Sequence, residues 1–116
     1  MPTDPRPYAG PERRRRRVYV TQNREYHCRD EICIAVRDLQ TGQFIDGHRA
    51  IGKTATAAVA MQGSLIASIS SPATASPGVR MQFSEHPDDP DDVLTSELIA
   101  IARPLRAVVE QYERLR

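Results

Sequence analysis

Fifteen residues, Glu31 to Ile45 (EICIAVRDLQTGQFI), constrain what this chain can fold into more than any other stretch. Ile32, Ile34 and Val36 alternate with Cys33, Ala35 and Arg37, the period of two that sends successive side chains to opposite faces of a strand. Asp38-Leu39-Gln40-Thr41-Gly42 then supplies turn chemistry. An Asp side chain bonds backbone amides two residues on, and Gly accepts the positive φ at the end of a four-residue hairpin loop. Closing that loop with Asp38 and Gln43 sets Val36 opposite Ile45 and Arg37 opposite Phe44, so that Phe44 and Ile45 open the returning strand. The alternation makes Ile32, Ile34 and Val36 the apolar face.

What packs around this nucleus is limited by composition. A chain of 116 residues is one domain with a modest core, and without Trp and with only two Phe and four Tyr that core is built from Ile, Val, Leu and Ala. Upstream, Val18, Tyr19 and Val20 read as a first strand. Were Asp30-Glu31 a two-residue turn, Cys28 would lie directly across from Cys33. Asp-Glu is a poor pair where both turn residues need positive φ, so the expectation is two buried free thiols and no bridge. Two Cys and His27 also fall short of the four ligands of a structural zinc site.

Downstream, Ala55 to Met61 admits a short helix, but Thr54, Thr56 and the Gln62-Gly63 pair suit a hairpin that matches Ala60 with Leu65 and Val59 with Ile66. Ser70 to Gly78 is a loop by composition, and Val79 to Ser84 alternates as a strand. Glu85 to Asp92 carries five carboxylates and no Lys or Arg, the composition of a solvated acidic loop. Val93 to Ala102 fits either period and is assigned to strand, because Arg103 precedes Pro104 and the residue before Pro is pushed to extended geometry. Leu105, Val108, Val109, Tyr112 and Leu115 then share one helical face.

The expected fold is mainly β: a small antiparallel β-barrel or β-roll of about six short strands with one C-terminal α-helix, residues 104–115. A flexible Pro- and Arg-rich arm, residues 1–16, precedes a single domain, residues 17–116. The order of basic arm, small barrel and helix is similar to that of the PilZ domains, which bind cyclic dinucleotides. Their D-x-S-x-x-G motif is absent: Asp38 is followed by Leu39, Gln40 and Thr41, with Gly42 one position early, and the family is not assigned.

Three functional readings follow. No nucleophile, base and orienting group can be assembled around His27, His48 or His86, so the first expectation is a non-enzymatic interaction or accessory protein that binds another protein or itself, without cofactor or metal. The second is an anion site, for nucleic acid or a nucleotide, at Arg13, Arg14, Arg15, Arg16 and Arg17; residues 1–17 sum to +4, with six Arg against Asp4 and Glu12. A near-zero net charge and few aromatics for base stacking weigh against it. The third rests on Gly47-His48-Arg49-Ala50-Ile51-Gly52-Lys53-Thr54, which resembles the phosphate-binding loop of P-loop nucleotide hydrolases. The resemblance implies that backbone amides around Gly47 and Gly52 cradle phosphates, Lys53 reaches the terminal ones and Thr54 ligates Mg²⁺. No apolar run spans a membrane, and no secretory signal core opens the chain, which sets a cytoplasmic expectation.

Overall fold

The computed structural model describes residues 6–10 and 15–114. Among these residues the fold is mainly β, with seven antiparallel strands in one sheet and one α-helix. In chain order these are β1 (Arg16–Thr21), β2 (Arg24–Arg29), β3 (Ile32–Asp38), β4 (Thr54–Gln62), β5 (Leu65–Ser70), β6 (Arg80–Ser84), β7 (Val93–Ala102) and α1 (Arg106–Arg114). The strands lie in the order β3-β2-β1-β7-β6-β4-β5, and Ile32 of β3 also pairs with Thr54 of β4. That pairing brings six strands into a ring. β5 stays outside it, because β4 gives one edge to β3 at its N-terminal end and to β5 from Ala58 onward.

Two apolar clusters occupy the two faces of the ring. Inside it, Tyr19, Tyr26, Cys28, Cys33, Val36, Met81, Phe83 and Leu98 are almost fully buried. Phe83 stacks on Tyr26 at 5.6 Å between ring centroids and meets Tyr19 edge-on at 6.3 Å. On the outside, Val108, Val109 and Tyr112 of α1 pack with Ala35, Phe44 and Ile34. Helix α1 therefore covers an outer face and does not plug an end. It begins at Arg106, after Pro104, where the sequence placed the start of the helix at 104.

The hairpin loop after β3 has the expected register. Asp38 N–H donates to Gln43 O at 2.8 Å, Ile45 N–H to Val36 O at 2.7 Å, and Arg37 bridges Phe44. Gly42 takes φ 73°, and the Asp38 carboxylate accepts from Gln40 N–H at 2.8 Å. The returning segment makes only that bridge before it turns away. The face assignment also changes. The β2–β3 register pairs His27 with Ala35 and Cys28 with Cys33, leaving Ile34 as an unpaired bulge residue. A one-residue slip exchanges faces, so Cys33 and Val36 enter the core, Ile32 is exposed and Ile34 is half-buried. Ile34→Ala is accordingly expected to cost less than about 1.5 kcal/mol in urea denaturation; a loss near 3 kcal/mol would place Ile34 in the core after all.

The β4–β5 hairpin turns one residue later than the sequence suggested. Gly63 and Ser64 form the loop, so Gln62 pairs with Leu65 and Met61 with Ile66. Gly63 sits at φ 63° in the first loop position, which a type II′ turn reserves for glycine.

Within the segment expected to be an arm, residues 6–8 are fixed to the start of the helix. Tyr8 N–H donates to Pro104 O at 2.8 Å, Arg106 N–H donates to Arg6 O at 3.0 Å, and Pro7 bridges Leu105. Residues 1–5 and 11–14 lie outside the described residues, and Arg16 is already part of β1.

Candidate functional site

Of the Arg run, Arg13 and Arg14 lie outside the described residues. The other three each take partners within the chain. Arg15 is exposed and pairs with Asp30, its Nε donating to Oδ1 at 2.7 Å. Arg16 is buried on the helix side, where Nη1 donates to the Tyr112 hydroxyl at 2.7 Å and Nη2 to Glu113 at 2.7 Å, with its guanidinium 5.1 Å from the Tyr8 ring centroid. Arg17 donates to the Tyr19 hydroxyl at 3.2 Å and lies 4.0 Å from Glu31. Strand alternation explains the split, since consecutive residues on β1 must face opposite sides. Arg15, Arg16 and Arg17 do not form one cationic face.

The P-loop resemblance does not carry over to the geometry. A phosphate loop needs a helix after the Lys-Thr pair so that its first amides point at the ligand. Thr54 instead opens strand β4. Gly47 and Gly52 do take positive φ, 71° and 90°, but they serve successive turns that lead back to Cys33, where Gly52 N–H donates to Cys33 O at 2.7 Å. The Lys53 side chain, 6% exposed, reaches into the acidic loop, donating to Asp89 Oδ2 at 2.9 Å and to Asp91 O. Asp89 also accepts from Glu85 N–H at 2.9 Å and from Asp91 N–H at 2.8 Å. The Glu85 N–H first and then the Lys53 ammonium hold the Asp89 carboxyl down to about 2. The loop read as simply solvated is thus anchored by the one lysine of the chain.

His27 is the remaining chemically notable side chain. Its Nε2 lies 3.1 Å from Glu25 Oε1, which Arg37 Nε also reaches at 2.9 Å, and its ring sits between Phe44 and Tyr112. Burial lowers the His27 pKa, so the ring is neutral at neutral pH. It is 2% exposed, packed beneath α1. Among the described residues no group of three or more His, Cys, Asp or Glu is placed to hold a metal ion, and no helix is long and apolar enough to cross a membrane.

What the sequence reading did not single out is β5. All six of its residues are exposed, with Leu65 at 73%, Ile66 at 58% and Ile69 at 63%. Pairing of Val59 with Ile69 and Met61 with Ile66 puts these four apolar side chains on one face of the hairpin. The other edge of β5 pairs with no strand among the described residues. A sequence signal did exist: between Lys53 and Arg80 there is no charged residue. Comparison with protein families, with curated proteins and with solved structures finds no match for this chain.

Proposed function

We propose that this protein is a non-enzymatic interaction domain, working in the cytoplasm, that binds another protein by adding an extended strand of that partner to the open edge of β5. The observation that carries the reading is the full exposure of an uncharged Leu/Ile strand. Ordering its backbone costs about 1–2 kcal/mol per residue, and β5 meets that cost with one ladder and no buried side chain. Sheet edges are normally guarded by Lys, Pro or inward charge, and β5 has none of these, only the bulge that leaves Ala67 without a partner on β4. The chemistry of the occupant follows from the edge. It is a neutral extended segment whose main chain bonds β5 and whose alternate apolar side chains meet Ile66 and Ile69. An anion-binding role through the Arg run has less support, because Arg15, Arg16 and Arg17 are spent on internal partners.

The test is site-specific photo-crosslinking from position 69 of the full chain in cells. One discrete protein adduct is expected, abolished by Ile66→Pro: Gln62 and Leu65 close the two-residue turn as a hydrogen-bonded pair, so the next pair, Met61 with Ile66, leaves the Ile66 N–H facing the open edge. Far-UV circular dichroism of that variant should be unchanged. An adduct of twice the chain mass would identify the partner as a second copy. An adduct indifferent to Ile66→Pro, or none above that from exposed Arg103, would overturn the reading.

A further inference from the structure

The β2–β3 hairpin holds a pair of thiols in an arrangement that the proposed interaction role does not use. Cys28 and Cys33 are register partners one step from the two-residue turn Asp30-Glu31. Cys33 N–H donates to Lys53 O at 2.9 Å, and Cys33 O accepts from Gly52 N–H at 2.7 Å, so both of its backbone groups point away from β2. The pair is therefore a non-hydrogen-bonded one, the kind in which the Cα atoms approach to about 4.5 Å and the side chains are closest. A disulfide requires Cα atoms about 4.4–6.8 Å apart, and a non-hydrogen-bonded pair falls within that range. Both cysteines are free and buried, at 1% and 0% exposure.

We infer that Cys28 and Cys33 form an oxidisable dithiol site that a peroxide converts to an intrachain disulfide. In the balanced step one thiol, as thiolate, attacks a peroxide oxygen; the O–O bond breaks, giving a sulfenic acid and water. The second thiol attacks that sulfur, the S–O bond breaks and a second water leaves. Two thiols and one hydrogen peroxide thus yield one disulfide and two waters.

Access is gated by the turn. In the closed state the neighbouring thiol, burial and the Glu31 charge all push the Cys28 thiol above its ordinary value, and only Arg17 opposes them. Asp30 and Glu31 occupy positive φ, 53° and 66°, which is unfavourable for a non-glycyl residue, and they are held there by side-chain contacts. Glu31 accepts from the Tyr19 hydroxyl at 2.8 Å, and Asp30 binds exposed Arg15. An open cleft of about 430 Å³ lined by Arg15, Arg17, Asp30, Glu31, Ala55 and Ser71 lies over this end of the hairpin. When the turn opens, Glu31 leaves and Arg17, the β1 register partner of Cys28, remains to favour its thiolate.

The test uses the full reduced chain, treated with hydrogen peroxide, alkylated in denaturant and digested with trypsin. Trypsin cuts after Arg29, so peptides 25–29 and 30–37 travel as one species only while the bridge exists. The expected result is an intact mass lower by about 2 Da, protection of both thiols from alkylation, and the linked peptide pair, all reversed by dithiothreitol. The bridged form should melt a few degrees above the reduced one. Cys28→Ser and Cys33→Ser should each lose the linked species and carry the remaining cysteine to sulfenic or higher oxidation states. Both thiols remaining alkylatable under conditions that oxidise free cysteine, or bridges forming only between chains, would overturn the inference.

Discussion

Phe83→Ala is expected to lower the unfolding free energy by about 3–5 kcal/mol, the range for truncating a fully buried aromatic side chain. Phe83 has no exposed surface and stands between Tyr26 and Tyr19 inside the ring. It is one of only two Phe in the chain, and beside the two Tyr its neighbours in the lumen include Ala50, Ala55, Ala58, Cys28 and Cys33. Small neighbours on closed strands cannot collapse into the vacated volume, so the cavity term adds to the lost transfer energy. Against a typical domain stability of about 5–15 kcal/mol, the variant should unfold at a visibly lower urea midpoint, or not fold at all at 37 °C. A loss below about 1.5 kcal/mol would show that the ring interior is not the core.

The second expected effect is on acid stability. The folded Asp89 carboxyl titrates at about 2 against an ordinary value of 3.8, so its contribution is fully present above the unfolded value and disappears as pH falls through the folded one. Melting temperature should fall as pH drops from about 4 toward 2, and Asp89→Asn should flatten that limb. His27 adds a second loss at higher pH: its folded pKa is lowered by burial, so the neutral ring favours folding above about 6.5 and the advantage fades below that. Melting curves by circular dichroism between pH 2 and 7 resolve the two steps. Parallel wild-type and Asp89→Asn curves would mean that the Lys53–Asp89 anchor does not couple to the fold.

Lys53 also shows how a motif can match in letters and differ in physics. Eight residues satisfied a phosphate-loop pattern, yet the cation is consumed by Asp89 and the chain enters a strand. Likewise, five consecutive Arg read as a patch only if alternation is ignored: Arg16 goes to Tyr112 and Glu113, Arg17 to Tyr19. The exposure of β5 was not legible either. Its strand character is written in Leu65-Ile66-Ala67-Ser68-Ile69-Ser70, but which strand ends a sheet depends on pairings made far along the chain.

Short-range physics settled the local elements from the sequence alone. Period-two alternation marked β3 and β6, the Arg103-Pro104 step decided strand for β7, Asp38 and Gly42 placed the hairpin loop and its register, and the spacing of Val108, Val109 and Tyr112 marked the helical face. Each of these rests on neighbours within a few residues, where turn geometry and side-chain period dominate. The tertiary structure decided what depends on distant partners. β1 pairs with β7 some eighty positions away, and the pairing of Ile32 with Thr54 then brings the strands into a ring. The Asp30-Glu31 turn, disfavoured by its own residues, is held at positive φ because Tyr19, Arg15 and the Ala55 amide, which donates to Glu31 O at 2.7 Å, bind it from other strands. Local propensity differences amount to about 1 kcal/mol, and several hydrogen bonds at about 1 kcal/mol each outweigh them once the strands have met.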